Sequence, residues 1–331
     1  MEILPISALV AGILILIVSA DKFVEGAAAT ARRFGMAPLL IGIVIIGFGS
    51  SAPEMVISAL SALNGNPGIA VGNALGSNIA NIALILGVTA LLSPIAVKSS
   101  IVVTELPALA LLTAAAGVLL LTDGNLSRFD GIVLIVSFLI IMGWLVYNAL
   151  QSSDDEIATI LETELTETMS LPKAVTMLVL GLVFLVISSR MMVWGGVEVA
   201  EALGISDLII GLTIVAVGTS LPELASSIAA VRKNEHELAL GNVIGSNMFN
   251  ISIVLGIAGT IAPTTLDRDV LTRDFPFMGL LTLILFLVTY WFRGPGTGRI
   301  NRFEGGFLLL GYVGYTLVLV MMAMSQSAQA S

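Results

Sequence analysis

One polar phrase occurs twice in this chain, and the spacing between its copies never changes. Gly49-Ser50-Ser51-Ala52-Pro53-Glu54 returns as Gly218-Thr219-Ser220-Leu221-Pro222-Glu223, and each copy is followed by a Gly-Asn-x-x-Gly-Ser-Asn-x-x-Asn run. That run is Gly72-Asn73, Gly76-Ser77-Asn78 and Asn81 in the first copy, and Gly241-Asn242, Gly245-Ser246-Asn247 and Asn250 in the second. The differences 223−54, 241−72 and 250−81 all equal 169, so no insertion or deletion separates the copies. The fold must therefore be assembled from two equivalent halves.

Both copies sit in strongly apolar sequence. The chain is 57% hydrophobic and 11% charged, with a mean hydropathy of +1.04, whereas soluble domains carry about 25% charged residues. An integral membrane protein is implied. Crossing a hydrocarbon core of about 30 Å takes about 20 apolar residues. Ten such spans fit, near 3–20, 36–63, 68–93, 101–121 and 129–150, then 173–190, 204–231, 238–262, 274–292 and 303–324. The hydrophilic stretch Gln151 to Pro172, with Asp154, Asp155, Glu156, Glu162, Glu164 and Glu167, separates a first repeat, 1–150, from a second, 173–331.

Five spans per half is an odd number, so the second copy enters the bilayer from the opposite side. The expected fold is an all-α membrane protein of ten transmembrane helices, arranged as two inverted five-helix repeats. Alternating the loops between two sides collects Lys22, Arg32, Arg33, Lys98, Lys173, Arg232, Lys233, Arg293, Arg299 and Arg302 on one side, and Arg128, Arg190, Arg268 and Arg273 on the other. The excess of positive charge puts the first set and the acidic linker in the cytoplasm, with both termini outside. The first apolar stretch is not expected to be a signal peptide, because Met1-Glu2 supplies no positive charge.

Several classes of function are excluded. Without cysteine there are no disulfides, thiolate metal sites or thiol catalysis. A single histidine, His236, cannot build a zinc cluster or a Ser/His/Asp triad. No nucleophile and base pair stands near the glutamates, and no Walker loop or dinucleotide fingerprint occurs, so neither an enzyme nor a cofactor is indicated. The net charge of −9 without a basic stripe argues against nucleic acid. Lipid is the expected neighbour, and no protein partner is evident. The acidic linker lacks the Asp-x-Asp-x-Asp-Gly pattern of a calcium loop and reads as a solvated connector.

The duplicated phrase carries the chemistry. A proline inside a helix removes one backbone hydrogen bond, so Pro53 frees the carbonyl of Gly49 and Pro222 that of Gly218. Such carbonyls cannot face lipid and must line a cavity or bind something, which predicts discontinuous helices at the centre. Ser50, Ser51, Thr219 and Ser220 put hydroxyl oxygens at the same level, and these hard donors suit Na⁺, Ca²⁺ or Mg²⁺. Glu54 and Glu223 add two carboxylates at mid-membrane, each costing about 2.5–3.5 kcal/mol to insert. No basic residue lies in either motif helix near them, so a bound cation is the natural means of cancelling their charge.

In the second run Ser77 and Asn81 stand four residues apart, as do Ser246 and Asn250, and each pair is expected on one helical face. These four are candidate ligands or ligand holders. Gly72 with Gly76, and Gly241 with Gly245, form small-xxx-small surfaces that allow close helix packing. Asn73, Asn78, Asn242 and Asn247 rank below them, as groups that hydrogen-bond between helices or cap broken ones.

Both motifs resemble the alpha repeats of the cation/calcium exchanger superfamily, in particular its prokaryotic sodium/calcium antiporters, and the likeness covers nearly the whole chain. The resemblance implies ion-binding carboxylates at Glu54 and Glu223 and hydroxyl ligands at Ser50, Ser51, Thr219, Ser220, Ser77 and Ser246. It also implies amide ligands at Asn81 and Asn250 and backbone carbonyl ligands at Gly47 and Ala216. Some prokaryotic and potassium-dependent members of the family that this chain resembles have Asp where Asn250 stands. At that position the chain resembles the potassium-independent animal exchangers, which argues against potassium cotransport.

The implied function is secondary antiport of Na⁺ against Ca²⁺ across a prokaryotic inner membrane. With Asn at both 81 and 250, Glu54 and Glu223 give the site a charge of −2, which one Ca²⁺ or two Na⁺ neutralise. A Ca²⁺/H⁺ antiporter on the same fold is the alternative, with the glutamates taking protons in place of Na⁺. A passive cation channel, whose pore also uses glutamates and carbonyls, is a third.

Overall fold

The computed structural model describes residues 3–33, 38–97, 101, 103–163, 169–202, 216–290 and 298–330. The first half comprises α1 (Ile3–Arg33), α2 (Pro38–Ile41), a π-helical stretch Gly42–Ile46, α3 (Gly47–Leu63), α4 (Pro67–Ile79), a π-helical stretch Ala80–Ile85, α5 (Leu86–Leu92), β1 (Ile95–Val97), α6 (Glu105–Asp123), β2 (Asn125–Leu126) and α7 (Arg128–Thr163). The second comprises α8 (Leu171–Ala202), α9 (Ala216–Thr219), α10 (Leu221–Arg232), α11 (His236–Phe249), a π-helical stretch Asn250–Val254, α12 (Leu255–Ile261), β3 (Thr264–Thr265), a π-helical stretch Val270–Asp274, α13 (Phe275–Tyr290), β4 (Gly298–Ile300) and α14 (Arg302–Ala330). Among the described residues nine helices are long and apolar enough to cross a membrane. The remaining expected span, 204–231, falls partly outside them, and its described part is α9 and α10.

Local chemistry sets the helix ends. Pro67 occupies the first turn of α4, where its missing N–H would be unpaired in any case. Gly124 stops α6 with a left-handed φ of 69°, a conformation that costs glycine nothing. Two reciprocal capping boxes start α7 and α14: Ser127 N–H donates to Asp130 Oδ2 and Asp130 N–H to Ser127 Oγ, while Asn301 N–H donates to Glu304 Oε2 and Glu304 N–H to Asn301 Oδ1.

The halves are interleaved. α1 lies along α8, with Gly12 against Ser188 and Met192, Phe23 against Gly181, and Gly26 against Ala174 and Leu178. The order of these contacts makes the two helices antiparallel. A Cβ on Gly26 would stand 2.5 Å from the Leu178 backbone nitrogen, so only glycine permits this approach. The span formed by α11 and its continuation is the most enclosed, with 94% of its central window buried. β1 pairs antiparallel with β4, Ile95 opposite Ile300, and β2 with β3, Asn125 opposite Thr265. In the chain α6, roughly 28 Å long at 1.5 Å per residue, separates the β1 strand of one ribbon from the β2 strand of the other.

Three expected boundaries change. α1 was expected to end near residue 20 and α8 near 190, yet they reach Arg33 and Ala202. Lys22, Arg32, Arg33, Arg190, Glu198 and Glu201 are thus helical and not in loops, and Lys22 pairs with Glu25 at 3.1 Å. Hydropathy marks where apolar side chains stop, whereas Ala, Glu, Lys and Arg continue a helix readily. For the same reason α7 takes in Gln151 to Thr163 of the expected linker, while Glu164 and Glu167 lie outside the described residues.

Candidate functional site

The two glutamates sit differently on their helices. In the second copy the helix is interrupted at Ser220 (φ −91°, ψ 6°), and Pro222 falls in the first turn of α10, just ahead of Glu223. In the first copy Pro53 stays inside α3, which continues through Glu54, so the break expected at both prolines is found only in the second. A helix already supported by packed neighbours can lose one hydrogen bond without ending. The irregularity in the first copy stands upstream, as the π-helical stretch Gly42–Ile46. The carbonyl of Gly218, freed by Pro222, accepts a hydrogen bond of 2.6 Å from Ser189 Oγ of α8. The position 169 residues earlier is Ala20, which has no hydroxyl to offer.

Glu54 and Glu223 are both 1% exposed, and their carboxylates are close enough for the charge of one to act on the other. Neither joins a salt bridge among the described residues. Both oxygens of Glu54 and Oε2 of Glu223 are buried without a hydrogen-bond partner, as are Ser51 Oγ, Ser220 Oγ and both amide atoms of Asn81 and Asn250. Buried polar atoms are normally paired, and leaving one unmade costs about 1–3 kcal/mol. Unpaired oxygens on the same two motifs as two uncompensated carboxylates are of the donor type a hard cation needs.

The remaining candidates tie the copies together. Ser50 Oγ donates to Asn242 Oδ1 at 3.1 Å and shares a 3.2 Å hydrogen bond with Ser246 Oγ. The Ser50 hydroxyl also stands within reach of the Glu223 carboxylate. Gly47 lies against the α11 backbone, where a Cβ would be 3.0 Å from the nitrogen of Ser246, and its carbonyl takes a long contact of 3.5 Å from Ser50 Oγ. Ser77 is buried, and Thr219 is half-buried and lines a cavity with it. Ala216 opens α9, and its side chain is outside the described set.

Two features were not legible in the motifs. Asn81 and Asn250 both fall at the start of π-helical stretches, Ala80–Ile85 and Asn250–Val254, whose last residues are again 169 apart. Asn250 N–H still bonds the Ser246 carbonyl four residues back, so the backbone joining that pair is α-helical and the wide turn begins only there; such turns are frequent at functional sites. Asn73 and Asn242, ranked low from sequence, hold the glutamate backbones: Asn73 Nδ2 donates to the Glu54 carbonyl at 3.2 Å and Asn242 Nδ2 to the Glu223 carbonyl at 3.1 Å. Their equal offset was the available signal.

Asn242 also donates to Ser226 Oγ at 3.1 Å and Ser227 Oγ at 2.9 Å. Asn242→Ala removes this buried network, and we expect it to cost about 2–4 kcal/mol. The check is thermal unfolding of the purified protein beside transport, with Asn73→Ala, which loses a single carbonyl contact, falling by less.

Glycines set the closeness of the copies. A Cβ on Gly241 would meet the Leu39 carbonyl oxygen at 2.6 Å and one on Gly245 the Ile43 carbonyl oxygen at 2.6 Å. The small-xxx-small surface expected there is thus in use. No described residue comes within 4 Å of a Cβ on Gly72 or Gly76, and Leu208 and Leu212, which stand 169 residues after Leu39 and Ile43, are outside the described residues.

Comparison with known proteins places these features in context. The family described as sodium/calcium exchanger protein matches residues 4–147 and 173–321. CaxA of Alkalimonas amylolytica is 46% identical over 93% of this chain and 96% of its own. The sodium/calcium exchanger MaX1 of Methanosarcina acetivorans is 33% identical over 94% and 97%. A solved structure of the sodium-calcium exchanger NCX_Mj, soaked with Na⁺ and Ca²⁺, superposes with a TM-score of 0.81 at 32% identity, covering 95% of this chain and 97% of that one.

Proposed function

Because the chain belongs to the sodium/calcium exchanger protein family, we propose that it exchanges Na⁺ for Ca²⁺ at one site between Glu54 and Glu223, offered to each side of the membrane in turn. The observation that carries this reading is the set of buried, unpaired oxygens that Glu54, Glu223, Ser51, Ser220, Asn81 and Asn250 contribute from the two duplicated motifs. Ser50, Ser77, Thr219 and Ser246 complete the oxygen set, with the carbonyls of Gly47 and Ala216.

Two carboxylates give the site a charge of −2. One Ca²⁺ neutralises it, two Na⁺ do the same, and three Na⁺ leave it at +1, so the two ions compete for overlapping oxygens. Alternating access follows from inverted repeats spanning 1–150 and 173–331 and joined through 151–172. The inversion is supported by the antiparallel course of α1 and α8, which occupy equivalent places in the two copies. It is supported again by β1 and β3, equivalent in sequence yet paired in two separate ribbons whose other strands, β4 and β2, come from opposite halves of the chain. An inner-membrane location, with both termini outside, fits the excess of basic residues in and beside the connections on one side, even though Lys22, Arg32 and Arg33 of that set are helical. It also fits the 42% identity to the inner membrane protein YrbG of Escherichia coli.

The test is ⁴⁵Ca²⁺ uptake into proteoliposomes loaded with Na⁺, against a parallel set driven by a pH gradient in sodium-free medium. Saturable uptake in the first set and none in the second is the expected result. The reverse pattern would establish calcium/proton exchange, and unsaturable flux without a counter-ion would establish a channel. Exchange of three Na⁺ for one Ca²⁺ would move one net charge. A 100 mV potential would then shift the Ca²⁺ accumulation ratio by about 2.3 kcal/mol, roughly fiftyfold.

A further inference from the structure

A cavity of about 500 Å³ is lined by Gly72, Gly76, Ser77 and Thr219 together with a polar group formed by Arg273, Asp274 and Tyr315. Two of these lining residues, Ser77 and Thr219, are candidate ligands. Arg273 and Asp274 keep some contact with solvent, 22% and 14% of their side chains. The group is tightly specified. Arg273 Nε donates to Asp274 Oδ1 at 2.7 Å and Nη2 to Asp274 Oδ2 at 3.1 Å, a two-pronged pair. Arg273 Nη1 reaches Asp269 Oδ2 at 3.1 Å, and Tyr315 Oη donates to Asp274 Oδ1 at 2.8 Å. Tyr315 is itself fixed by stacking on Phe277, ring centroids 5.0 Å apart.

The arrangement has a chemical consequence. Asp274 lines a cavity that it shares with the candidate ligands Ser77 and Thr219, yet both of its oxygens are committed to Arg273 and Tyr315. An uncommitted carboxylate there would hold a divalent ion on the way in, and an unpaired arginine would repel it. The three charges, Asp269, Asp274 and Arg273, sum to −1, enough to favour cations at the entrance without offering them a seat.

Resting on the exchange function proposed above, we propose that Arg273 and Asp274 form the selectivity-setting mouth of one ion passage, where the arginine screens the carboxylate and so sets how strongly cations are drawn in from that face. Neither residue is part of the duplicated motifs. The equivalent positions in the first copy are Thr104 and Glu105, so this screened pair belongs to one face only.

The test measures apparent KM for Ca²⁺ and Na⁺ separately on each face of the intact protein in oriented proteoliposomes. Arg273→Gln is expected to lower the Ca²⁺ KM about threefold to tenfold on the face carrying Arg273, and Asp274→Asn to raise it by a similar factor. The effect on Na⁺, with half the charge, is expected to be about the square root of that on Ca²⁺, and both shifts should shrink at high ionic strength. The double substitution should return the KM close to the unaltered value. Shifts of the same sign in both variants, equal shifts on both faces, or no shift would overturn the proposal, since a merely structural pair would weaken transport in either variant. Unaltered protein that shows no exchange would overturn the functional reading and this one with it. Exchange with unmoved affinities would overturn this one alone.

Discussion

Glu54→Gln and Glu223→Gln should each abolish sodium-driven Ca²⁺ uptake while leaving the fold intact. Each leaves a site of charge −1 for an ion of charge +2, within buried surroundings that cannot rehydrate it. Removing one partner from a buried charge pair costs about 3–5 kcal/mol, which corresponds to a loss of roughly a hundredfold to several thousandfold in affinity. The direction of the stability change separates a site from a structural pair. In ion-free buffer the two carboxylates have no cation between them, so Gln at either position removes repulsion, and the melting temperature should hold or rise. The rise in melting temperature that Ca²⁺ gives the unaltered protein should disappear. A fall in ion-free melting temperature together with retained Ca²⁺ uptake would falsify the site assignment.

The second large effect is expected at Gly245. A Cβ there would lie 2.6 Å from the carbonyl oxygen and 2.7 Å from the Cα of Ile43. Both obstacles are backbone, so no rotamer change relieves them, and the π-helical stretch Gly42–Ile46 would have to move away from α11. We expect Gly245→Ala to cost about 1–3 kcal/mol by overpacking and Gly245→Leu to prevent recovery of folded protein. Gly143→Ala is the comparison, because no described residue comes within 4 Å of a Cβ there. Thermal unfolding in detergent reads the two alanine variants, and the yield of folded protein reads Gly245→Leu. Equal melting temperatures for Gly245→Ala and Gly143→Ala would show that the contact of the copies is looser than these distances.

What could be read in the sequence followed chemical identity. Glutamate at mid-membrane is expensive wherever it occurs, so Glu54 and Glu223 announced themselves, and the serines and asparagines beside them followed from the repeat. Nine of the ten expected spans are found among the described residues, because about 20 apolar residues are needed whatever the tertiary packing. What escaped depended on backbone geometry. A π turn has no residue signature, so the placing of Asn81 and Asn250 in wide turns was invisible. Pro53 and Pro222 are the same residue in the same phrase, yet one rides inside α3 and the other starts α10, because neighbouring helices decide whether a missing hydrogen bond is tolerated. Asn242 looked like one polar group among four, and only its position between Ser50, Glu223, Ser226 and Ser227 made it the hub. Charged residues misled about length, since Lys22 and Glu25 continue α1 and do not end it.

The antiparallel pairing of α1 with α8 also governs how the protein is made. α1 ends at Arg33 and α8 at Ala202, so the ribosome must add 202−33 = 169 residues before the whole partner of the first helix exists. At about 5–20 residues per second that takes roughly 8–34 s. Until then the surface of α1 that carries Gly12 and Gly26 lacks its full partner. The first half alone cannot complete its packing, and nascent chains that stop short of α8 would carry an open glycine-lined groove that membrane quality control can recognise.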